Sequence, residues 1–227
     1  MDASFGVFGF RSAEGCGRLL SMAFNRDRKY PAYIFDCDGT LADSMPLHLL
    51  AWNHALEHVN APLRLERDSF MTVAGMALQQ TIDHWNELHD TQIDGEVVIR
   101  VKNDYVQKHL AKIRGFDDAI GWAKELHERG EKLAVASGGT REDIEFTLKH
   151  LGIRQYFEAV VTADDVKLAK PEPDLFLEAA RQLGVPPEGC LVFEDSLLGK
   201  RAADACGMDC VMVDTWRGFD QTGEFAE

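Results

Sequence analysis

Five short runs of this chain are apolar almost without a break, and between them the apolar residues change to helical spacing. The runs are Ala32-Tyr-Ile-Phe-Asp36, Lys132-Leu-Ala-Val-Ala-Ser137, Glu158-Ala-Val-Val-Thr162, Cys190-Leu-Val-Phe-Glu194 and Cys210-Val-Met-Val-Asp214. A strand with one wet face alternates apolar and polar residues, so an unbroken run marks a strand covered on both sides. Ala119, Trp122, Ala123 and Leu126 follow the i, i+3, i+4, i+7 pattern, as do Phe176, Ala179, Ala180 and Leu183, and Ile144, Leu148 and Leu151 form a third stripe. Gly130, Gly152, Gly184 and Gly207 stand where these helices should stop, because glycine accepts the left-handed conformation that closes a helix. Strands alternating with helices predict an α/β fold, a Rossmann-like parallel sheet core with helices on both faces.

One stretch breaks this rhythm. From Pro46 to Ile113 there is no strand pattern, only helical stripes such as Met45, Leu49, Trp52, Leu56 and Val59, punctuated by Pro62 and Gly75. We read residues 45–113 as a small α-helical cap domain inserted after the first strand, with the core formed by 30–44 and 114–215. Residues 1–29 are expected to be an N-terminal extension and 216–227 a C-terminal tail. The extension lacks the apolar stretch of about 7–15 residues that a secretory signal needs.

Composition narrows the partners. With 227 residues, 45% hydrophobic and 27% charged, the chain has an ordinary globular mix, which excludes fibrous and disordered classes. No apolar run approaches the ~20 residues of a membrane span. The 24 Lys and Arg against 38 Asp and Glu leave a net charge of −14, which argues against nucleic acid as a partner. The five cysteines are odd in number and form no C-x-x-C pair, so a reducing cytoplasm is the expected location. The oligomeric state stays open, a monomer being compatible with everything above.

The chemistry sits at the strand ends. In an open parallel sheet, ligands bind beyond the carboxyl ends of the strands, and there stand Asp36 with Asp38, Ser137, and Glu194 with Asp195, joined by Lys170. Asp36, Glu194 and Asp195 would crowd three negative charges, which cannot all ionise without a counter-ion. A hard divalent cation resolves this, and Mg²⁺ suits a site of a few carboxylates, a backbone carbonyl and water. Together with Lys170 it leaves positive charge for an incoming phosphate. Gly39 permits a tight turn whose amides could point at the same anion. A lone D-x-D is usually a solvated loop, but Asp36-Cys-Asp-Gly-Thr-Leu41 directly follows a buried run, so loop, glycine and strand agree.

These segments, with Ser137, Lys170-Pro171 and Glu194-Asp195, resemble the four motifs of the haloacid dehalogenase-like hydrolase superfamily. Val161 to Asp174 and Val192 to Gly199 resemble its β-phosphoglucomutase and sugar-phosphate phosphatase branch, fructose-1-phosphate phosphatases in particular. The resemblance covers about residues 32–214 and implies roles. Asp36 would be the nucleophile, Asp38 the general acid and base, and Thr40 would orient their loop. Ser137 and Lys170 would hold phosphoryl oxygens, with Gly138 beside the substrate. Asp36 and Asp195 would bind Mg²⁺ through side chains and Asp38 through its backbone carbonyl, with Glu194 a supporting acid or a direct ligand.

The resemblance also places His48, twelve residues beyond Asp36, near Asp38, and gives Lys102 of Lys102-Asn-Asp104 a reach into the site from the cap. Both are expected to bind substrate. The mutases carry an arginine for the distal phosphate near Gly75, whereas Val73 to Gln80 contains no cation. The expected activity is therefore a Mg²⁺-dependent phosphatase acting on a small phosphorylated metabolite such as a sugar phosphate. A β-phosphoglucomutase-type mutase is the alternative. A dehalogenase would not need Asp38, since halide leaves without a proton, and a signalling receiver would need neither Asp38 nor a lid. His54 and His58 read as solvated helix histidines, Cys37 as a packing residue, and Trp52 and Trp85 as cap core.

Overall fold

The computed structural model describes residues 29–213. The expectations for residues 1–28 and for the tail lie outside the described residues. Strands β1 (Ala32–Phe35), β2 (Lys132–Ala136), β3 (Ala159–Val161), β4 (Cys190–Glu194) and β5 (Asp209–Met212) form one sheet in the order β3-β2-β1-β4-β5. Every pairing is parallel. The strand that carries Asp36 at its end is thus central, flanked by those that lead to Ser137 and to Glu194. Thr162 falls outside its strand because its amide donates to Asp165 Oδ2 at 2.7 Å.

Alternate residues of each strand enter opposite cores. Tyr33, Phe35, Leu133, Val135 and Phe193 pack under helices α5 (Asp117–Glu128) and α6 (Arg141–His150). Phe35 stacks on Phe193 with centroids 4.4 Å apart. Ala32, Ile34, Ala134 and Val192 face α7 (Asp174–Leu183) and α8 (Leu197–Ala205), so both sheet faces are dry, as unbroken runs require. Gly130, Gly152, Gly184 and Gly207 all have positive φ at the chain's exits from helices.

Between β1 and α5 every regular element is a helix. Here lie α1 (Met45–His58), α2 (Arg67–Met71), α3 (Leu78–His89) and α4 (Gly95–His109). Met45, Leu49, Trp52, Leu56, Ile82, Trp85 and Val98 make a third core of their own, with Trp52 and Trp85 edge to face at 4.9 Å. The opposite side of α1 and the end of α4 send Leu47, Ala51 and Val106 into the core under the sheet. α1 is therefore apolar on two sides, and it fastens the helical insert to the sheet. The two connections lie side by side, Asp43 N–H donating to Arg114 O at 2.9 Å and Phe116 N–H to Leu41 O at 3.0 Å.

Candidate active site

The site begins where β1 runs out. Asp36 N–H still donates to Phe193 O at 2.9 Å, which locks the residue to β4, and then Leu41 and Ala42 N–H both turn back to Cys37 O at 2.9 Å. Gly39 makes that turn possible with φ +85°, and a side-chain carbon there would overlap Asp195 Oδ2. The loop after β1 therefore rests directly on the loop after β4. Lys170, arriving from the segment after β3, is buried with Nζ 2.6 Å from Asp36 Oδ1 and 3.1 Å from Glu194 Oε2. The other oxygen of Glu194 accepts from Ser196 Oγ. Gly199 on α8 leaves the space that this carboxylate fills.

Electrostatics divide the acids into two kinds. Burial and the charge of Glu194 push the Asp36 carboxyl up to about 8, against the pull of Lys170. Burial, then Glu194 and Asp36, push Asp195 well up too. Burial works against the charge on Lys170, but the Asp36 and Glu194 carboxylates outweigh it and raise the ammonium above its usual range. One oxygen from each of Asp36, Glu194 and Asp195 lies within 4.8 Å of the others. One lysine cannot balance three carboxylates, and a hard divalent cation with oxygen ligands fits this cluster.

Asp38 is the other kind. Its Oδ1 accepts from Ser44 Oγ at 2.6 Å and lies 3.4 Å from His48 Nε2, while Ser137 Oγ donates to Oδ2 at 3.4 Å. Burial would raise its pKa, but the hydrogen bonds from His48 and Ser44 and the charges of His48 and Lys102 overcome that and hold it at about 2. Ser137 is fixed in turn by its amide, 3.0 Å from Val161 O. Thr40 is buried, its amide closing the turn onto Cys37 O at 3.3 Å, while its hydroxyl has no hydrogen-bond partner. The Cys37 thiol is buried and its pKa raised by burial and the adjacent acids, which makes it a packing residue.

These groups open onto a cavity of about 320 Å³ between the sheet edge and the helical insert. Gly138 lines it beside Ser137, and His48 and Lys102 line it from α1 and α4. Lys102 is buried, its Nζ 5.8 Å from the centroid of the Trp52 ring. Asp104 is exposed and lies outside the lining. All ten residues singled out in the sequence thus surround one space or its immediate supports. Three supports escaped notice there: Ser44, Ser196, and Asp143, which lines the cavity. Ser196 was readable in principle, since it caps α8 by accepting from Gly199 N–H at 3.0 Å. His54 and His58 are exposed on α1, as read.

A parallel sheet whose edge gathers two aspartates of opposite character, a buried lysine and a carboxylate cluster under a helical insert defines a hydrolase fold with acids grouped closely enough to hold a metal ion. The chain belongs to the haloacid dehalogenase-like hydrolase family, whose pattern matches residues 33–213. It is 37% identical over 185 residues to fructose-1-phosphate phosphatase YqaB of Escherichia coli (strain K12), spanning 82% of this chain and 97% of that one. β-Phosphoglucomutase of Bacillus subtilis (strain 168) is 28% identical over 188 residues, 80% of this chain and 82% of that one. The solved structure of a hydrolase from Pseudomonas syringae superposes with a TM-score of 0.72 at 29% identity, covering 79% of this chain and 82% of that chain. Family and relatives agree with the expected enzyme class, a phosphoric monoester hydrolase. Among the described residues no helix is long and apolar enough to cross a membrane.

Proposed function

We propose that this chain is a Mg²⁺-dependent phosphatase that hydrolyses a small phosphate monoester, a sugar phosphate, through an aspartyl-phosphate on Asp36. The observation that carries this reading is geometric: Asp36 at the end of the central strand, bonded to Lys170 and clustered with Glu194 and Asp195, opens onto the same cavity as Asp38 two residues on. Asp36 and Asp195 would hold the metal by their side chains and Asp38 by its backbone carbonyl. Both oxygens of Glu194 already accept hydrogen bonds, from Lys170 and Ser196, which suits it to support Lys170. When bound, the cation neutralises the carboxylate cluster and the charge on the phosphoryl oxygens.

Asp36 attacks phosphorus as its carboxylate, the form that the Lys170 ammonium 2.6 Å away favours, and the bond from phosphorus to the leaving oxygen breaks. Asp38 gives that oxygen a proton. In the free enzyme Ser44 and His48 keep Asp38 as a carboxylate. A phosphate arriving beside it adds negative charge, which raises its pKa, and a monoanionic ester can bring the proton. Ser137 and Lys170 hold the phosphoryl oxygens, with Gly138 beside the substrate and Thr40 in the turn that aims Asp36. In the second half, Asp38 takes a proton from water, whose oxygen attacks phosphorus and releases phosphate with the Asp36 carboxylate restored.

The mutase reading rests on Lys102, a buried cation on the cavity wall. Hydrolysis is favoured because, among the described residues, no arginine lines the cavity. Arg141, near its rim, is turned away to Val160 O at 3.0 Å and to Asp165. A bisphosphate intermediate needs a second strong anion clamp, and bidentate arginine is the usual one. A reducing, cytoplasmic location suits Cys37, Cys190, Cys206 and Cys210, which are unpaired. The test is phosphate release from p-nitrophenyl phosphate and fructose 1-phosphate with Mg²⁺, abolished by EDTA and restored by Mg²⁺. Conversion of β-glucose 1-phosphate to glucose 6-phosphate, primed by a bisphosphate, would instead establish the mutase.

A further inference from the structure

The cavity has a second carboxylate wall that the reaction above does not use. Asp143 lies in the first turn of α6, its amide donating to Thr140 Oγ1 at 3.2 Å, and it lines the cavity with Lys102 and Asn103 of α4. Gln107 Nε2, one turn beyond Asn103, donates to Asp143 Oδ1, so the side chain is held from the insert while remaining half-buried at the cavity. Burial lowers the pKa of Lys102, whereas the charges of Asp38 and Asp143 both favour its ammonium. Two anions thus act on Lys102, which leaves it less able to serve a second phosphate or a carboxylate.

We propose that Asp143 is a specificity-determining residue whose carboxylate accepts hydrogen bonds from hydroxyl groups of the substrate and repels a second anionic group, selecting neutral polyhydroxylated monophosphates. This rests on the phosphatase reading and names its substrate class. A carboxylate is an acceptor alone and matches O–H donors. An anion brought beside it meets like-charge repulsion, which falls off with distance and solvent access. Of the remaining lining residues Val73, Ala74, Met76 and Leu78 are apolar, and Asn103, Thr81, Thr140 and Thr147 are neutral polar groups that carry no charge.

The experiment compares kcat/KM for fructose 1-phosphate with that for fructose 1,6-bisphosphate, scoring only loss of the C1 phosphate, in the wild-type chain and in Asp143→Asn. Asparagine keeps an oxygen for Gln107 and replaces the other with a donor, so a purely structural latch would survive. Both rates come from one preparation, so loss of folded protein cancels in their ratio. Asp143→Ser serves as a second variant without the charge.

A wild-type preference for the monophosphate that falls at least tenfold in both variants is the expected result. A ratio within twofold of wild type in both overturns the proposal. So does a wild-type enzyme that hydrolyses p-nitrophenyl phosphate but prefers the bisphosphate or uses neither fructose ester, and the phosphatase reading then stands without it. Failure of the wild type on every ester with Mg²⁺ removes the phosphatase reading, and this proposal with it.

Discussion

The two walls of the cavity are built on different plans. At the sheet edge three charged groups are each held from two sides: Lys170 by Asp36 and Glu194, Glu194 by Lys170 and Ser196, Asp38 by Ser44 and Ser137. On the helical side Lys102 makes no hydrogen bond among the described residues and lies over an aromatic face, amid mostly apolar neighbours. A preorganised charge site needs rigid supports, because its donors must already point where charge develops. A recognition wall needs shape and a few polar groups. The difference assigns chemistry to the edge of the sheet and selection to the helices.

The largest effects should therefore come from the sheet edge. Asp36→Asn is expected to lower kcat by about 10⁴-fold or more, the scale for removing a nucleophile. It should leave the thermal midpoint unchanged or raised, since it relieves three-way carboxylate crowding. A variant with appreciable turnover would end the covalent scheme. Next comes Asp38→Asn, with a loss of about 10²–10⁴-fold on alkyl phosphates and a smaller one on p-nitrophenyl phosphate, whose leaving group departs without a proton. Equal losses on both would remove the acid–base role.

Two smaller changes sharpen the contrast. Gly39→Ala combines a strained φ with overlap on Asp195. It should cost about 100-fold in kcat/KM, the order expected when catalytic groups shift by an ångström, and should weaken Mg²⁺ activation measured by titration. Lys102→Met keeps the length of the chain and removes the buried charge. We expect a KM rise of about tenfold for a sugar phosphate, about 1.4 kcal/mol of lost binding, with little change in the thermal midpoint. A kcat loss as large as that of Asp38→Asn would mean that the helical wall takes part in the chemistry.

Much of the sheet edge was legible because local rules fix it. An unbroken apolar run specifies a buried parallel strand, and its carboxyl end is where the site must lie, so Asp36, Ser137 and Glu194 follow from position alone. Lys170 was placed at that edge by its position after the third strand, although no periodicity sets it against Asp36 across 134 residues of chain. The helical wall was harder. Helical spacing showed that Trp52 and Trp85 would be buried but not which faces would meet. The Gln107–Asp143 contact spans 36 residues between two helices, and nothing local in either helix points to it. α1 read as a one-sided stripe, yet Leu47 and Ala51 are buried on its second side. Packing against two partners is a tertiary fact that one apolar period does not encode.

The smallest expected effect tests the comparison most directly. Gly75 also has a positive φ, +92°, in the loop of the insert that covers the site, and a side-chain carbon there would lie 3.4 Å from Ser196 Oγ and 3.6 Å from Lys170 Cδ. Those are ordinary contact distances, so Gly75→Ala adds backbone strain of about 1–2 kcal/mol without displacing a site group. The thermal midpoint should fall by a few degrees, and kcat/KM should change by less than tenfold, far less than for Gly39→Ala, whose strain is similar. Because the two substitutions share their backbone cost, the gap between their rate losses reports how firmly each loop is pressed on charged atoms. Equal rate losses would show that the helical loop bears on the site as tightly as the loop after β1, and the division into a rigid chemical wall and a selective one would fail.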